Sequence, residues 1–270
     1  MRRGHGFTCF AAGALVFAAA VSLLPSTARA QVNTENLRKR IKTTGYTFLV
    51  EGSLTADTGN TQGISAGGGI GGGWASEPHL IFGYARVDYS RFNGSTSVNK
   101  SFAHARYNYE FTSWLWGEAF AQAQSDAFQR LAFRSLWGLG PRFRALHVLT
   151  PEELDVYLGS SYMLEQDIIT GEPGTPYAST QTTQIWHRWS QYVTVQWQLD
   201  SRVILATTLY VQPAFDDFTD VRVLCDTLMT FKVTNRLSAS IAASVRYDSQ
   251  PPAGVQTTDT EVKNTLAVTF

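Results

Sequence analysis

The sequence predicts an all-β chain, a transmembrane antiparallel up-and-down β-barrel of about twelve strands. Three observations predict it. Segment after segment alternates apolar and polar residues with the period of two at which a strand presents opposite faces. The chain opens on an export signal, yet past it no apolar run approaches the length that lets a helix span a bilayer. The connections between segments alternate between long and tight, as they do between the outer loops and inner turns of a membrane barrel.

The export signal comes first. Arg2 and Arg3 give a positive start, Phe7 to Leu24 is nearly all apolar or small, and Ala28-Arg29-Ala30 reads as an A-x-A cleavage site. The expected domains are therefore a signal peptide over 1–30, a periplasmic N-terminal segment over 31–44 and a barrel over 45–270. Three of the 22 basic residues fall in the signal and none of the 22 acidic ones do, so the mature balance is 19 minus 22, or −3. That charge offers no field to recruit nucleic acid. Cys9 leaves with the signal and Cys225 is then alone, which excludes an intrachain disulfide or a cysteine metal cluster. Aromatics at 13% against 16% charged residues suit a wall that faces lipid.

Residues 31–44 are polar and basic, with Arg38, Lys39, Arg40 and Lys42, and read as a short periplasmic helix or tail. Candidate strands follow at 45–56, 63–75, 79–91, 100–110, 114–125, 129–146, 153–167, 182–198, 202–212, 220–233, 236–248 and 258–270. Alternation is clearest late in the chain. Leu237, Ala239, Ile241, Ala243, Val245 and Tyr247 oppose Ser238, Ser240, Ser244, Arg246 and Asp248. With a periplasmic N-terminus, the connections at Asp57–Gln62, Phe92–Asn99, Ile168–Gln181, Pro213–Thr219 and Ser249–Thr257 face outward. Tight turns at Ser76–Pro78, Phe111–Ser113, Leu199–Ser201 and Thr234–Asn235 face inward, while a short outer connection near Asp126–Phe128 and a longer inner one around His147–Glu152 depart from the pattern. A soluble sandwich would share the alternation but not this pattern of connections.

The closing strand, Asp259 to Phe270, sets Val262, Leu266, Val268 and Phe270 on one parity. An amphipathic last strand ending on Phe looks like the assembly signal that barrel-assembly machinery reads, with Leu266, Val268 and Phe270 as its residues.

The polar parity should line the interior, and it carries charges of both signs. The candidate lumen-lining residues are Glu51, Arg86, Glu118, Arg134, Asp155, Arg188, Arg222, Asp226, Lys232, Arg246, Glu261 and Lys263. Asp88, Arg106, Glu110, Arg130 and Glu165 join them on the same parity. The charges fit either a narrow solute pathway or a filled interior that neutralises itself, since isolated buried charges are costly. Gly67 to Gly73 contains a formal G-x-G-x-x-G, but a turn and no helix follows, so dinucleotide binding is not expected. Gly67, Gly69, Gly71 and Gly73 instead leave room on the interior for long side chains from opposite strands. His187 and Ser160 share the outward parity on neighbouring strands, and a tight register would pair them as in an outer-membrane phospholipase. No orienting third group or oxyanion donor accompanies them. No catalytic residue, cofactor or metal is expected.

Several short motifs recur in a family order. They are Asn33-Thr34-Glu35-Asn36-Leu37-Arg38, Asp57-Thr58-Gly59-Asn60-Thr61, Phe128-Gln129-Arg130-Leu131, Gly138-Leu139-Gly140-Pro141-Arg142-Phe143, and Arg246-Tyr247-Asp248-Ser249-Gln250-Pro251-Pro252-Ala253-Gly254-Val255 with the run from Thr257 to Phe270. Together they resemble the salt-induced outer-membrane protein family of Gram-negative bacteria, whose function is unknown. The resemblance spans essentially the whole mature chain and implies an outer-membrane barrel with no catalytic residues to carry over. Pro141 departs from the family pattern and leaves the strand path there open. The expected protein is thus a non-enzymatic, porin-like envelope barrel, either a narrow channel or a filled support under osmotic stress. A lipid-modifying enzyme is the contrasting reading. Its expected partners are outer-membrane lipid, lipopolysaccharide, the assembly machinery during biogenesis and, for a channel, a small solute of unidentified kind, with no nucleic acid.

Overall fold

In the computed structural model the described residues are Arg38, Ile41 and the stretches 44–57, 63–93, 95–149, 152–172, 174–176, 178–252 and 255–270. The expected export signal and cleavage site and the 58–62 connection lie outside them. Twelve strands follow one another: β1 Gly45–Asp57, β2 Gly63–Ser76, β3 His79–Phe92, β4 Ser95–Thr112, β5 Leu115–Asp126, β6 Leu131–Val148, β7 Leu154–Thr170, β8 Gln181–Gln198, β9 Val203–Pro213, β10 Val221–Lys232, β11 Leu237–Asp248 and β12 Thr258–Thr269. Each pairs antiparallel with its sequence neighbours, and β1 pairs with β12 to close the barrel.

Closure satisfies the edge groups that an open sheet would leave unpaired. The seam is short. Four positions pair between β1 and β12, from Leu49↔Thr269 to Gly52↔Leu266. Phe270 lengthens it by exchanging backbone hydrogen bonds with Phe48, at 2.9 and 3.3 Å.

Alternation decides the two faces. Tyr46, Phe48, Val50 and Leu54 of β1 point out and are more than half exposed, while Thr47 and Leu49 between them are buried. The same holds on β12, where Val262 and Leu266 point out and Ala267 is buried. Cys225 pairs with Val245 and Leu209 on the outward parity. The barrel is therefore apolar outside and mainly polar inside, the inverse of a soluble core. Outward aromatics gather towards the two ends. Phe48, Phe111, Trp114 and Phe270 lie at the end that carries both ends of the β-meander, and Tyr89, Phe215, Phe218 and Tyr247 lie towards the other.

Two local expectations change. The Phe92–Asn99 loop is mostly strand: β3 runs to Phe92 and β4 starts at Ser95, with Asn93 at φ +48° making the turn. A register shift after Ser90 lets this hairpin continue pairing beyond the irregularity. Pro141 does not interrupt β6. It pairs with Gly117 of β5, while the β6–β7 ladder passes from Leu139↔Tyr162 to Arg142↔Gly159 in unchanged register. A proline lacks only the one amide donor, and the ladder on either side holds the strand in line.

The short β5–β6 connection is a 3-10 turn, Ala127–Gln129, capped by the Asp126 carboxylate, which accepts from the Phe128 amide at 3.0 Å. Residues 38 and 41, expected in a short periplasmic helix or tail, meet the barrel interior, and Arg38 is helical. Arg38 reaches Glu118 on β5, and Ile41 is buried with Leu49, Ala75, Phe82 and Ala267.

Candidate functional site: the charged interior

The glycine stripe of β2 makes the interior possible. A Cβ on Gly69 would lie 2.5 Å from the Tyr84 hydroxyl and 3.1 Å from Glu51 Cγ, and one on Gly67 would overlap the side chains of Arg86 and Asp88. Small residues here let long polar side chains from β1 and β3 lie flat across the wall.

Those side chains form a first network. The Arg86 guanidinium donates to Glu51 at 2.7 Å, to Asp88 at 2.8 Å and to Ser53 at 2.9 Å, and the Tyr84 hydroxyl also donates to Glu51. Lys263 of β12 bridges Asp88 at 3.3 Å and Glu261 at 3.1 Å. Glu261 further receives Lys100 of β4 at 3.0 Å and Arg246 of β11 at 3.3 Å. The Lys100–Glu261 pair skips β1, β2 and β3, so it runs across the interior.

A second network fills the other side. Glu165 of β7 accepts from Arg188 at 3.0 Å, lies 3.3 Å from Arg134 and meets Arg222 of β10. Arg188 spans both Asp220 oxygens, each at 3.1 Å, and Arg222 also reaches Asp248 at 3.2 Å. Asp167 sits between Arg134 and Arg222.

The third network centres on Glu118. Asn108 donates to it at 2.8 Å and the Tyr192 hydroxyl donates from β8. Arg38, Arg142 and Arg106 approach it at 3.3, 3.5 and 3.7 Å. Arg142 is itself held by Tyr192 at 3.0 Å and stacks 4.0 Å from the Tyr157 ring. Glu118 and Glu165 are each only 1% exposed, and each is met by three guanidinium groups. A buried carboxylate is tolerable only with such compensation.

The remaining candidates are placed more simply. Asp155 is buried, with its Oδ1 2.6 Å from His147 Nδ1. Asp226 is buried between Thr208 and Ser244 in the register. Lys232 is exposed, because β10 ends there at the barrel rim. Residues outside the candidate lining set hold much of the site: Lys100, Arg142, Asp167, Tyr192 and Asp220, with Asp248 from the polar parity of β11.

Two interior spaces differ sharply in size. A cavity of about 420 Å³ opens at the end away from Arg38 and is lined by Arg130, Arg134, Asp167, Trp186, Arg222 and Asp248 among others. Deeper in, between His104, Phe120, Met163, Tyr192 and Tyr210, the space shrinks to about 20 Å³. That is close to the room one water needs.

The Ser160–His187 pairing does not form. Ser160 stands opposite Gln191, while His187 stands opposite Leu164, four residues further along β7. That offset is about 13 Å at a strand's rise. Ser160 accepts from the Trp189 indole at 2.8 Å, and His187 meets the Tyr162 hydroxyl. Both side chains serve an outward aromatic cluster that continues from Tyr162 to Phe215.

The barrel is similar to the translocator domain of the autotransporter NalP from Neisseria meningitidis, at 14% identity and TM-score 0.50, over 97% of each chain. It is also similar to the NanC porin, at 10% identity and TM-score 0.44, over 83% of this chain and 97% of that one. At such identities the likeness concerns the fold, which is that of outer-membrane β-barrels. No curated protein matches the chain in sequence. The signature of the family described as "Protein of unknown function, DUF481" matches residues 50–270, all of the barrel from the sixth residue of β1 onward, and the chain belongs to that family.

Proposed function

We propose that this protein is a non-enzymatic barrel of the bacterial outer membrane, exported through a cleaved signal peptide, with an interior that is filled in its resting form. The observation that carries the reading is Glu118. It faces the interior yet is only 1% exposed, surrounded by side chains from β4, β6 and β8 and by Arg38. A water-filled pore would leave such a carboxylate hydrated. The membrane placement is supported by the outer wall, where Ile70, Leu139 and Leu266 are each at least 59% exposed. Soluble monomers rarely expose contiguous apolar patches beyond a few hundred Å². In this reading lipid and lipopolysaccharide cover the wall, and the assembly machinery recognises Leu266, Val268 and Phe270.

The test is conductance of the refolded mature protein in planar bilayers. Silence or rare brief openings are expected. A steady conductance with every insertion would overturn the filled reading in favour of a narrow solute channel. That second reading is favoured by the cavity of about 420 Å³, which would receive a small polar solute from outside. The family resemblance supports a part in envelope integrity under osmotic stress, and growth of a deletion strain at raised salt tests that part.

A further inference from the structure

We infer that Arg38 and Ile41, which precede β1, together plug the mouth of the barrel where β1 begins and β12 ends, Arg38 as a latch on Glu118 and Ile41 as a seat on the wall. Two contacts of different kinds carry this. The Arg38 guanidinium lies 3.3 Å from Glu118 and over the rings of Trp116 and Tyr157, at 5.6 and 5.9 Å from their centroids. It is thus gripped by β5 and β7. Ile41 is 8% exposed and packs among Leu49, Ala75, Phe82 and Ala267, which belong to β1, β2, β3 and β12. Arg38 and Ile41, three positions apart in the chain, therefore touch different walls of the interior.

The seat is shaped for it. A Cβ on Gly73 would come within 3.0 Å of Ile41 Cδ1, so the glycine leaves the space the isoleucine fills. The latch also matches its partner in charge and shape. A guanidinium between two aromatic faces and a carboxylate gains from both at once. A solvated basic tail would make neither contact. With the periplasmic N-terminus expected from the pattern of loops and turns, this mouth opens to the periplasm. The docking itself does not depend on that reading, because a plug can sit in a barrel that conducts or in one that does not.

Trypsin tests the latch, since it cuts after an arginine only by taking the side chain into its own pocket. Mature protein folded in detergent micelles is compared with a free peptide of residues 31–48, and cleavage after Arg38 is followed by intact mass. The folded protein should be cut at least about a hundredfold more slowly than the peptide, because cleavage must wait for local opening. Glu118→Gln weakens the latch, and Ile41→Asp removes the seat while leaving Glu118 and every strand residue unchanged. Each should raise cleavage after Arg38 about tenfold or more while the barrel keeps its heat-modifiable gel mobility. Cleavage of the wild type at the peptide's rate would overturn the inference. So would a folded Ile41→Asp barrel that is cut no faster than wild type. Bilayer conductance plays no part in this readout, so failure of the filled-barrel reading and failure of the plug are told apart.

Discussion

Replacing Glu118 by alanine removes the shared acceptor of Arg38, Arg106, Arg142, Asn108 and Tyr192. The guanidinium groups stay inside while their common partner is gone. Breaking a buried pair by truncating one side costs about 3–5 kcal/mol. Tyr192→Phe deletes a single hydrogen bond to a charged acceptor and should cost less, about 1.5–3 kcal/mol. Glu118→Gln keeps one acceptor oxygen and should fall below the alanine variant. Urea unfolding of the refolded protein in micelles, followed by tryptophan fluorescence, separates these cases. With a slope of about 3 kcal/mol per M, the alanine midpoint should drop by about 1–1.7 M. Stability of Glu118→Ala within about 1 kcal/mol of wild type would refute the reasoning, because exposed ion pairs are worth no more than that. It would mean that water already surrounds the arginines and that the interior is open.

Three further outcomes are expected. Ile70 is 65% exposed on the outer wall near the middle of β2, and Ile70→Lys should cost about 2–4 kcal/mol at a bilayer midplane and reduce the amount of assembled barrel in cell fractions. Deleting Phe270 takes away the two hydrogen bonds with Phe48 that lengthen a seam of four paired positions, so export should persist while heat-modifiable barrel falls sharply. The Asp217 carboxylate, outside the strands, accepts from the Thr219 hydroxyl at 2.6 Å, the Thr219 amide at 2.9 Å and Gln250 at 3.2 Å, which holds its pKa below the ordinary value. Its stabilisation of the β9–β10 connection is therefore fully present above the unfolded pKa of about 3.9 and is lost as pH falls through the lower folded value. Hydrogen exchange at Thr219, corrected for intrinsic rate, should speed up across that fall in wild type and show no such step in Asp217→Asn.

Strand positions were legible because a barrel wall separates two solvents along its whole length. Val245 and Tyr247 point out and Arg246 and Asp248 point in for the same reason at every turn of β11. What the sequence hid was backbone pairing that needs no side-chain signature. Ser95 to Asn99 is polar apart from Val98 and reads as loop, yet it is strand because β3 already offers it a paired edge. Pro141 misleads in the opposite sense: its missing donor is a local defect, and the neighbouring pairs Leu139↔Tyr162 and Arg142↔Gly159 outweigh it.

The interior was legible as a parity and not as a set of partners. Arg142 shares the parity of Arg134, so alternation marks it as inward, as it marks Asp248 beside Arg246. Lys100 and Asp167 sit at strand ends that were read too short or at their last residue. Partner choice lies a level above periodicity. Arg222 finds Glu165 across two intervening strands, and Lys100 finds Glu261 across three, because the tilt and curvature of the closed wall bring them level. Arg38 was the least legible of all. It precedes the first strand, belongs to no alternation, and looks like one of several solvated basic residues until the barrel supplies Glu118, Trp116 and Tyr157 to receive it. The same closure that hides these pairs from the sequence is what makes them buried, and burial is what turns a neutral tally of charges into a network whose single carboxylates, Glu118 and Glu165, can be tested one at a time.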